Sequence, residues 1–422
     1  MYGGVTSVSG GDASIGRPPR DADPVFGPIA GLRVLELATL NAGPALGAML
    51  GDLGADVVKV ELPAGDDFRV LGTAGQGPPR PGLWNLVARN KRMVTLDYKR
   101  PEGVELLRRL TVAADVIVCN QPPSLLERMD CTYRAIAERN AGAIVVAVSG
   151  WGSTGPDADV AGNGTLGEAF AGLTDLQRDP DGTPRLSGAL IGDHLTALAG
   201  VIGTLAACYW RDVNGGTGQF VDVALYEAVV SALGPQVVAW DPAAVAEEPD
   251  GPPKRAGRGI RDVFQTADGR WVVVTSYSDA QITRLLDAVG MAVPPVADQS
   301  AASPGAMETP DMAGLVAQWI GANPRHEVLE QFRRLRIGIA PVNDVGSFMA
   351  DPHAQARQAV IEVAHPLLGT VRVPRPSPRL SATPAEVRSV DRRLGEDNAE
   401  VYAEWLGLDA PTIDALDADG VI

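Results

Sequence analysis

Apolar runs that alternate with glycine- and proline-containing turns predict strand–helix–strand units in the first half of the chain. A Leu-Arg-Val-Leu-Glu-Leu run begins at Leu32 and is followed by an Asn41-Ala-Gly-Pro44 turn. An Ala-, Leu- and Met-rich helix then continues to Leu53, and 57–60 form the next strand. The pattern recurs as a strand, a helix, a strand and a continuous apolar strand at 93–96, 101–114, 116–119 and 143–148. Uninterrupted apolar strands are typical of a sheet covered on both faces, so we predict an α/β fold with a mostly parallel sheet.

The hydrophobic pattern changes after Leu233 and predicts a second, smaller domain. A Pro-rich segment is typical of a linker, and an Asp-Gly turn between apolar runs at 262–265 and 271–275 predicts a hairpin. Helical spacing returns at 312–336, and a Val-rich stretch and two acidic helices follow. We therefore predict a disordered leader at 1–27 and a large α/β domain at 28–240 that is completed by 375–422. We predict a linker at 241–258, a small α+β domain at 259–360 and a return segment at 361–422.

The charge balance of the chain disfavours two classes of partner. The 422 residues contain 36 Lys and Arg against 52 Asp and Glu, a formal net charge of -16. Nucleic-acid-binding proteins carry an excess of Lys and Arg that releases phosphate counterions. We therefore expect neither a nucleic acid nor an anionic membrane surface as the partner.

Cysteine and histidine usage indicates the expected compartment, and the length of the longest apolar run indicates a core helix. The chain contains 3 Cys without a CxxC pair and 4 widely separated His, so neither a disulfide framework nor a local metal cluster is predicted. This usage suits a reducing cytosol, and we predict a cytoplasmic protein. The run 195–210 is shorter than the roughly 18 to 20 residues that span a bilayer, and it predicts a buried core helix.

Two segments of the first half could bind a phosphate-containing ligand. Glu61 closes the second strand, where a ribose-binding carboxylate would stand, but the turn at 41–47 lacks the GxGxxG pattern of a dinucleotide site. The alternative interpretation is that Gly47 and Gly51 allow a helix to pack closely on the sheet. The stretch 89–100 has five basic residues against Asp97, which indicates either a polyanion site or a solvated charged face.

Asp193 precedes a long apolar helix that is predicted over 194–210. At this spacing an Asp is typical of a helix N-cap, because its carboxylate accepts unpaired backbone N–H groups. The positive end of the helix also stabilises an ionised carboxylate that could act as a nucleophile. His194 is adjacent, but neighbours on a helix do not face each other, so we expect a packing role for it.

Six segments together resemble the family III CoA-transferases of the CaiB/BaiF type, which include formyl-CoA transferase, carnitine CoA-transferase and α-methylacyl-CoA racemase. The resemblance extends from Gly31 to the C-terminus and includes a closing LGEDNAEV at 394–401. The segments are GLRVLELATLNAGPALGAMLGDLGADVVKVE, NKRMVTLDYKRPEG, ADVIVCNQPPSLLERM, SGWGSTGP, TGQFVDVALYEA and GIAPV, at 31–61, 90–103, 114–129, 149–156, 217–228 and 338–342.

The resemblance implies a fold, an activity and a set of site residues. It implies a Rossmann-like large domain, a smaller α+β domain and an interlocked homodimer. It implies transfer of CoA from an acyl-CoA to a carboxylic acid, with Asp193 of the Gly192-Asp193 pair as nucleophile and with CoA as substrate rather than as a permanently bound cofactor. No metal is required. The CoA contacts that it implies are Leu40, Asn41, Ala42, Leu96, Lys99, Asn120, Gln121 and Arg128, with Lys99 and Arg128 at the phosphates.

The chain departs from the family pattern at three places. Asn163 stands where the racemases have a histidine, and an amide cannot exchange a proton with an α-carbon, which disfavours racemisation. Leu62 stands where formyl-CoA transferase has an arginine, and Lys-Arg-Ala-Gly-Arg-Gly at 254–259 replaces its tetraglycine lid. The alternatives are a racemase or isomerase of the same fold, a non-catalytic acyl-CoA-binding protein and a nicotinamide oxidoreductase.

Overall fold

The computed structural model describes residues 26–69, 82–240, 260–276, 279–290 and 312–422. Contacts divide the chain into two compact units, one formed by 1–248 with 360–422 and one formed by 249–359. The predicted linker at 241–258, the segment 254–259 and all but two residues of the predicted leader lie outside the described residues.

The first unit is built on a parallel sheet, which confirms the α/β prediction. In the described part of the chain its strand order is β3-β2-β1-β4-β5-β6, and every neighbouring pair is parallel. The strands are β1 (Arg33–Glu36), β2 (Asp56–Glu61), β3 (Lys91–Thr95), β4 (Val116–Cys119), β5 (Ile144–Ser149) and β6 (Phe220–Ala224). Strand β6 was not predicted, because Asp222 interrupts its apolar pattern at this sheet edge.

Helices cover the faces of this sheet and hold a hydrophobic core on each side. Between the strands, and after the last of them, the described residues form a 3-10 turn at Asp67–Arg69 and ten helices. They are α1 (Ala42–Asp52), α2 (Leu83–Val87), α3 (Pro101–Ala113), α4 (Pro123–Arg128), α5 (Tyr133–Arg139), α6 (Gly164–Ala171), α7 (Leu173–Leu176), α8 (Ile191–Val213), α9 (Leu225–Ala232) and α10 (Gly234–Ala239).

Helix α8 begins earlier than the sequence pattern predicts. Leu190 occupies the N-cap position, and Asp193 lies inside the first helical turn, so the prediction of Asp193 as N-cap was wrong. The physical reason is that another element supplies the cap: the Gly192 N–H donates to the side chain of Glu168, at 2.8 Å. An N-cap prediction considers only side chains of the same segment.

Helix α8 also has the dimensions of a membrane span. Among the described helices it alone is long and apolar enough, with 23 residues and a mean hydropathy of 1.4. Core helices of globular proteins have the same dimensions. Helix α8 packs on α1, α6 and the strands β5 and β6, with Thr196, Ala197 and Gly200 buried. We therefore interpret it as a core helix of the first unit.

The second unit is a small antiparallel sheet with helices. Strand β7 (Ile260–Gln265) and strand β8 (Trp271–Ser276) form the hairpin, with Gly269 in its turn at φ 72°, and β9 (Gly338–Pro341) pairs with β8. The helices are α11 (Asp279–Ala288), α12 (Met312–Ala322), α13 (Arg325–Arg334), α14 (Val345–Ala350) and α15 (Pro352–Ala356). Phe264, Val272 and Phe332 belong to its core, so the unit is an α+β domain.

The last segment of the chain returns to the first unit. It forms the hairpin β10 (Val360–His365) and β11 (Gly369–Pro374), followed by α16 (Asn398–Leu406) and α17 (Ala410–Ala418). The start of α16 binds the outer edge of β3, where Asp397 accepts from Met93 N at 2.7 Å and Asn398 accepts from Thr95 N at 2.9 Å. These side chains pair backbone groups that an edge strand would otherwise leave open.

Candidate active site

The first candidate element is the crevice where the strand order of the parallel sheet reverses. Strands β1 and β4 are neighbours there, and open α/β sheets bind ligands outside the carboxyl ends of such strands. The Asn120 side chain joins the two strand ends, because it accepts from Thr39 N at 2.9 Å and donates to Thr39 O at 2.8 Å. Gln121 donates to Leu37 O. The two segments predicted to contact CoA, 40–42 and 120–121, therefore lie at one crevice.

The turn after β1 lies at this crevice and is partly exposed. Leu40 has a φ of 65°, the left-handed region that side chains rarely adopt, and 47% of its surface is exposed. Asn41 is half-buried and Ala42 is buried at the start of α1. A left-handed residue changes the direction of the chain within one position, between the end of β1 and the start of α1.

A buried charged cluster that was not predicted from the sequence contacts both ends of this turn. We call Glu36, Lys59, Asp66 and Lys91 the turn-supporting cluster. Glu36 pairs with Lys91 at 2.6 Å and with Lys59 at 3.3 Å, and Asp66 pairs with Lys59 at 2.9 Å. The signal was available, because Glu36, Lys59 and Lys91 are charged residues inside apolar strands.

The two ammonium groups of the cluster also bind backbone carbonyls at both ends of the turn. Lys59 Nζ donates to Ala38 O and Lys91 Nζ donates to Pro44 O, each at 2.7 Å. Burial lowers the pKa of Lys91 to about 8, with Glu36 opposing that shift. Residues 39–43 are therefore held between two fixed cations.

Asp193 lies in the first turn of α8, where its carboxylate accepts two hydrogen bonds from other elements. One donor is the Asn41 side chain and the other is the backbone N–H of Gly164, the first residue of α6. Burial raises the pKa of Asp193, the nearby Glu168 carboxylate raises it further, and the two hydrogen bonds oppose these effects. A carboxylate in such surroundings is more basic and more nucleophilic than a solvated one.

Glycine is required at 164 and 192 because the starts of α6 and α8 touch there. A Cβ on Gly164 would lie 2.6 Å from Asp193 Cγ, and a Cβ on Gly192 would lie 2.6 Å from Gly164 O. Asn163 is the N-cap of α6, with its side chain accepting from Leu166 N at 3.0 Å. Gly164 and Glu168 were not predicted as site residues, because only the fold brings α6 against Asp193.

The basic stretch 89–100 does not form a cationic patch, which corrects one of the two interpretations of its charge. Arg89 and Lys91 are buried, so the alternative of a solvated face is wrong for them as well. Four of the five basic side chains pair with carboxylates: Arg89 with Asp52 at 2.8 Å, Lys91 with Glu36 at 2.6 Å, Arg92 with Asp56 at 2.6 Å and Arg100 with Glu102 at 3.7 Å.

The fifth basic residue, Lys99, is exposed beyond the end of β3, and Arg128 is exposed at the end of α4. In the ranges that the structure describes, neither side chain has a hydrogen bond or an ion pair. Leu96 is fully buried in the core, so a ligand at this position would contact its backbone. These three residues follow the strands β3 and β4 at the carboxyl edge of the sheet.

The carboxylate of Glu61 is engaged by another part of the protein. Glu61 is buried and pairs with Arg69 at 2.6 Å, so its carboxylate is not presented to a ribose. Among the described residues no group of His, Cys, Asp and Glu could hold a metal ion. All three cysteines are unpaired.

Comparison with known proteins gives one consistent family. The sequence profile of CoA-transferase family III matches residues 29–398. A succinyl-CoA–D-citramalate CoA-transferase of Chloroflexus aurantiacus is 34% identical over 413 residues, which cover 96% of this chain and 99% of the relative. A formyl-CoA:oxalate CoA-transferase of Streptomyces avermitilis is 30% identical, with 93% and 99% covered. The crystal structure of a CaiB/BaiF family protein from Brucella suis superposes with a TM-score of 0.73 at 29% identity, covering 90% of this chain and 100% of that one.

Proposed function

Because the chain belongs to CoA-transferase family III, we propose that Asp193 is the nucleophile with which this CoA-transferase moves CoA from an acyl-CoA to a carboxylic acid. The observation that carries the proposal is the position of Asp193. Its carboxylate is half-buried and oriented by Asn41, which belongs to the same turn as the expected CoA contacts. The nucleophile and the thioester would therefore meet at one crevice.

The first half-reaction transfers the acyl group and then CoA to the enzyme. An Asp193 carboxylate oxygen attacks the thioester carbonyl carbon, the C–S bond breaks, and CoA leaves as a thiolate while a mixed anhydride forms. The thiolate then attacks the aspartyl carbonyl carbon of that anhydride. The donor acid leaves as a carboxylate, and Asp193 carries CoA as a thioester.

The second half-reaction reverses these steps with the acceptor. The acceptor carboxylate attacks the aspartyl thioester, which releases the CoA thiolate and forms a second anhydride. Attack of the thiolate on the acceptor carbonyl gives the new acyl-CoA and restores the Asp193 carboxylate. Each intermediate is an activated acyl group, so the steps need neither ATP nor a metal.

The expected CoA contacts divide by chemistry. Lys99 and Arg128 are exposed cations without protein partners among the described residues, which suits contact with phosphates. Backbone at 40–42 and 120–121 would contact the adenine and pantetheine parts. Two relatives act on succinyl-CoA, with D-citramalate or L-malate as the second substrate, and we propose dicarboxylic acids of this class for this enzyme.

The other functions have less support from the site. Asn163 is a neutral amide engaged as a helix cap, which gives a racemase no proton carrier at that position. The pairing of Glu61 with Arg69 disfavours a nicotinamide cofactor. A non-catalytic binding protein would not require the desolvated carboxylate of Asp193.

Trapping of the covalent intermediate tests the proposal directly. Incubation with succinyl-CoA in the absence of an acceptor is expected to leave an acyl or CoA adduct on the peptide that contains Asp193, detected by mass spectrometry. Asp193→Ala is expected to give no adduct and no turnover. Asp212→Ala, at the exposed far end of α8, is the matched control and keeps both. Normal turnover of Asp193→Ala would contradict the mechanism.

We also propose a homodimer. Large apolar side chains are exposed on α6, α8 and α10 and next to α10, namely Phe170, Ile202, Tyr209, Val238 and Trp240, each more than half exposed. Exposed apolar surface of this extent is typical of an association interface. Light scattering after size-exclusion chromatography is expected to give twice the chain mass of 44.1 kDa. A monomer mass would refute the dimer.

We also propose a cytoplasmic location. The three unpaired cysteines suit a reducing compartment.

A further inference from the structure

Glu168 is a buried carboxylate beside the nucleophile that the reaction steps above leave without a role. It lies on α6, one turn after Gly164, and only 2% of its surface is exposed. One carboxylate oxygen accepts from Gly192 N at 2.8 Å, and the other accepts from the Ser187 hydroxyl. Both carboxylate oxygens are thus held by protein groups, one of them at the start of α8.

Helix α6 thus presents a hydrogen-bond donor and a hydrogen-bond acceptor to the Gly192-Asp193 pair. Its first N–H, from Gly164, donates to the Asp193 carboxylate, and Glu168 one turn later accepts from Gly192. Both groups therefore contact the start of α8, since they reach the consecutive residues Asp193 and Gly192. The close backbone contact between Gly164 and Gly192 fixes the spacing of the two helices.

We propose that Glu168 is a positioning residue that orients Asp193 through Gly192 and whose charge favours the acylated form of Asp193 over the free carboxylate. This inference rests on the proposed role of Asp193 as nucleophile. When Asp193 attacks, its oxygen forms a bond to the acyl carbon, and the electron pair of the broken C–S bond leaves on the CoA sulfur. The negative charge therefore moves from Asp193 to the thiolate.

The energetic argument concerns the two states of Asp193. Before attack, two carboxylates lie near each other in a partly desolvated site, where like charges repel more strongly than in water. After acylation Asp193 is neutral and the repulsion is relieved. Glu168 thus shifts the acylation equilibrium toward the covalent intermediate, while its hydrogen bond to Gly192 keeps the start of α8 in place.

Two substitutions separate the charge from the hydrogen bond. Glu168→Gln keeps an oxygen that accepts from Gly192 N and an amide that reaches Ser187, and it removes the charge. Glu168→Ala removes both. Ser187→Ala is the matched control, because it deletes one partner of Glu168 and leaves the charge and the Gly192 contact.

The experiment measures the equilibrium fraction of adduct on Asp193 with succinyl-CoA and no acceptor, together with kcat and KM. For Glu168→Gln we expect the adduct equilibrium constant to fall about threefold to tenfold, the scale of one like-charged neighbour, with KM changed less than about twofold. Ser187→Ala is expected to match the wild type, and Glu168→Ala to lower kcat below that of Glu168→Gln.

The outcomes distinguish this inference from the proposed function. If the wild-type enzyme forms no adduct at Asp193, the nucleophile proposal fails, and this inference fails with it. If the wild type forms the adduct and Glu168→Gln forms it to the same extent, only the role of Glu168 is overturned. Glu168→Gln has nearly the shape of the native side chain, so it tests the role of the Glu168 charge even where Glu168→Ala does not fold.

Discussion

Gly164→Ala adds only one methyl group, but we expect it to lower both activity and stability because that group would overlap Asp193. The added Cβ would lie 2.6 Å from Asp193 Cγ and 2.8 Å from Asp193 N, and it would overlap Asp193 Oδ2. Carbon atoms pack at about 3.5 Å or more, so the carboxyl group must move by about 1 Å. The side chain is short and its backbone is within a helix, so neither can yield without moving the start of α8.

The expected cost can be given for both activity and stability. A misplacement of about 1 Å at a reacting group costs about 100-fold in rate, and overpacking of a fitted contact costs about 1–3 kcal/mol. We expect kcat for CoA transfer to fall about 100-fold and the free energy of unfolding, measured with urea, to fall by about 1–3 kcal/mol.

The control is Gly321→Ala, in the last turn of α12. A Cβ there would meet its nearest neighbour, Gln265 O, at 3.9 Å, an ordinary contact. This variant is expected to keep full activity and to gain up to about 1 kcal/mol of stability from the better helix propensity of alanine. If folded Gly164→Ala retains kcat within a factor of about three of the wild type, the steric role assigned to Gly164 is refuted.

Three further outcomes are expected. Gly47→Ala would overlap Glu36 of the turn-supporting cluster and is expected to lower the free energy of unfolding by about 1–3 kcal/mol in urea titration, which an unchanged midpoint would contradict. The raised pKa of Asp193 means that the folded protein binds this proton more tightly than the unfolded chain, so ionisation costs stability above the folded pKa. Asp193→Asn is therefore expected to raise Tm at neutral pH, with the gain disappearing as the pH falls below the ordinary aspartate value; an unchanged Tm at neutral pH would refute the burial argument. Lys99→Gln and Arg128→Gln are each expected to raise KM for acyl-CoA about tenfold without lowering kcat, whereas exposed Arg134→Gln leaves KM unchanged. The effects should vanish with an acyl-pantetheine, and their persistence there would argue against a phosphate contact.

Sequence patterns predicted the parallel sheet because buried parallel strands are continuous apolar runs that need no tertiary information to recognise. Strand β4 is such a run, and all four of its residues are buried. Strand β6 was not predicted because Asp222 lies within it, at the edge of the sheet. The same local reasoning found Asp193 as a carboxylate at a helix start but assigned it the wrong position, because Glu168 supplies the cap from another helix.

The charges were less predictable because their partners are distant in the chain. A count of residues 89–100 gives an excess of positive charge, whereas Arg92 pairs with Asp56 and with Glu400 and Glu404 of α16. Charge counts within a window cannot include such partners. The joint role of Asn41, in the turn after β1 and at Asp193, needed the same long-range information.

The pairing of α16 with the outer edge of β3 has a consequence for synthesis of the protein. Asp397 and Asn398 cover backbone groups of a sheet whose first strand begins at Arg33. During translation the chain emerges N-terminus first, and an uncovered strand edge can pair with another chain. The nascent chain therefore carries an open sheet edge while the whole second unit is being made. We expect the first unit to reach its native state only after residues near 400 have left the ribosome, so protection by chaperones matters most for this enzyme late in synthesis.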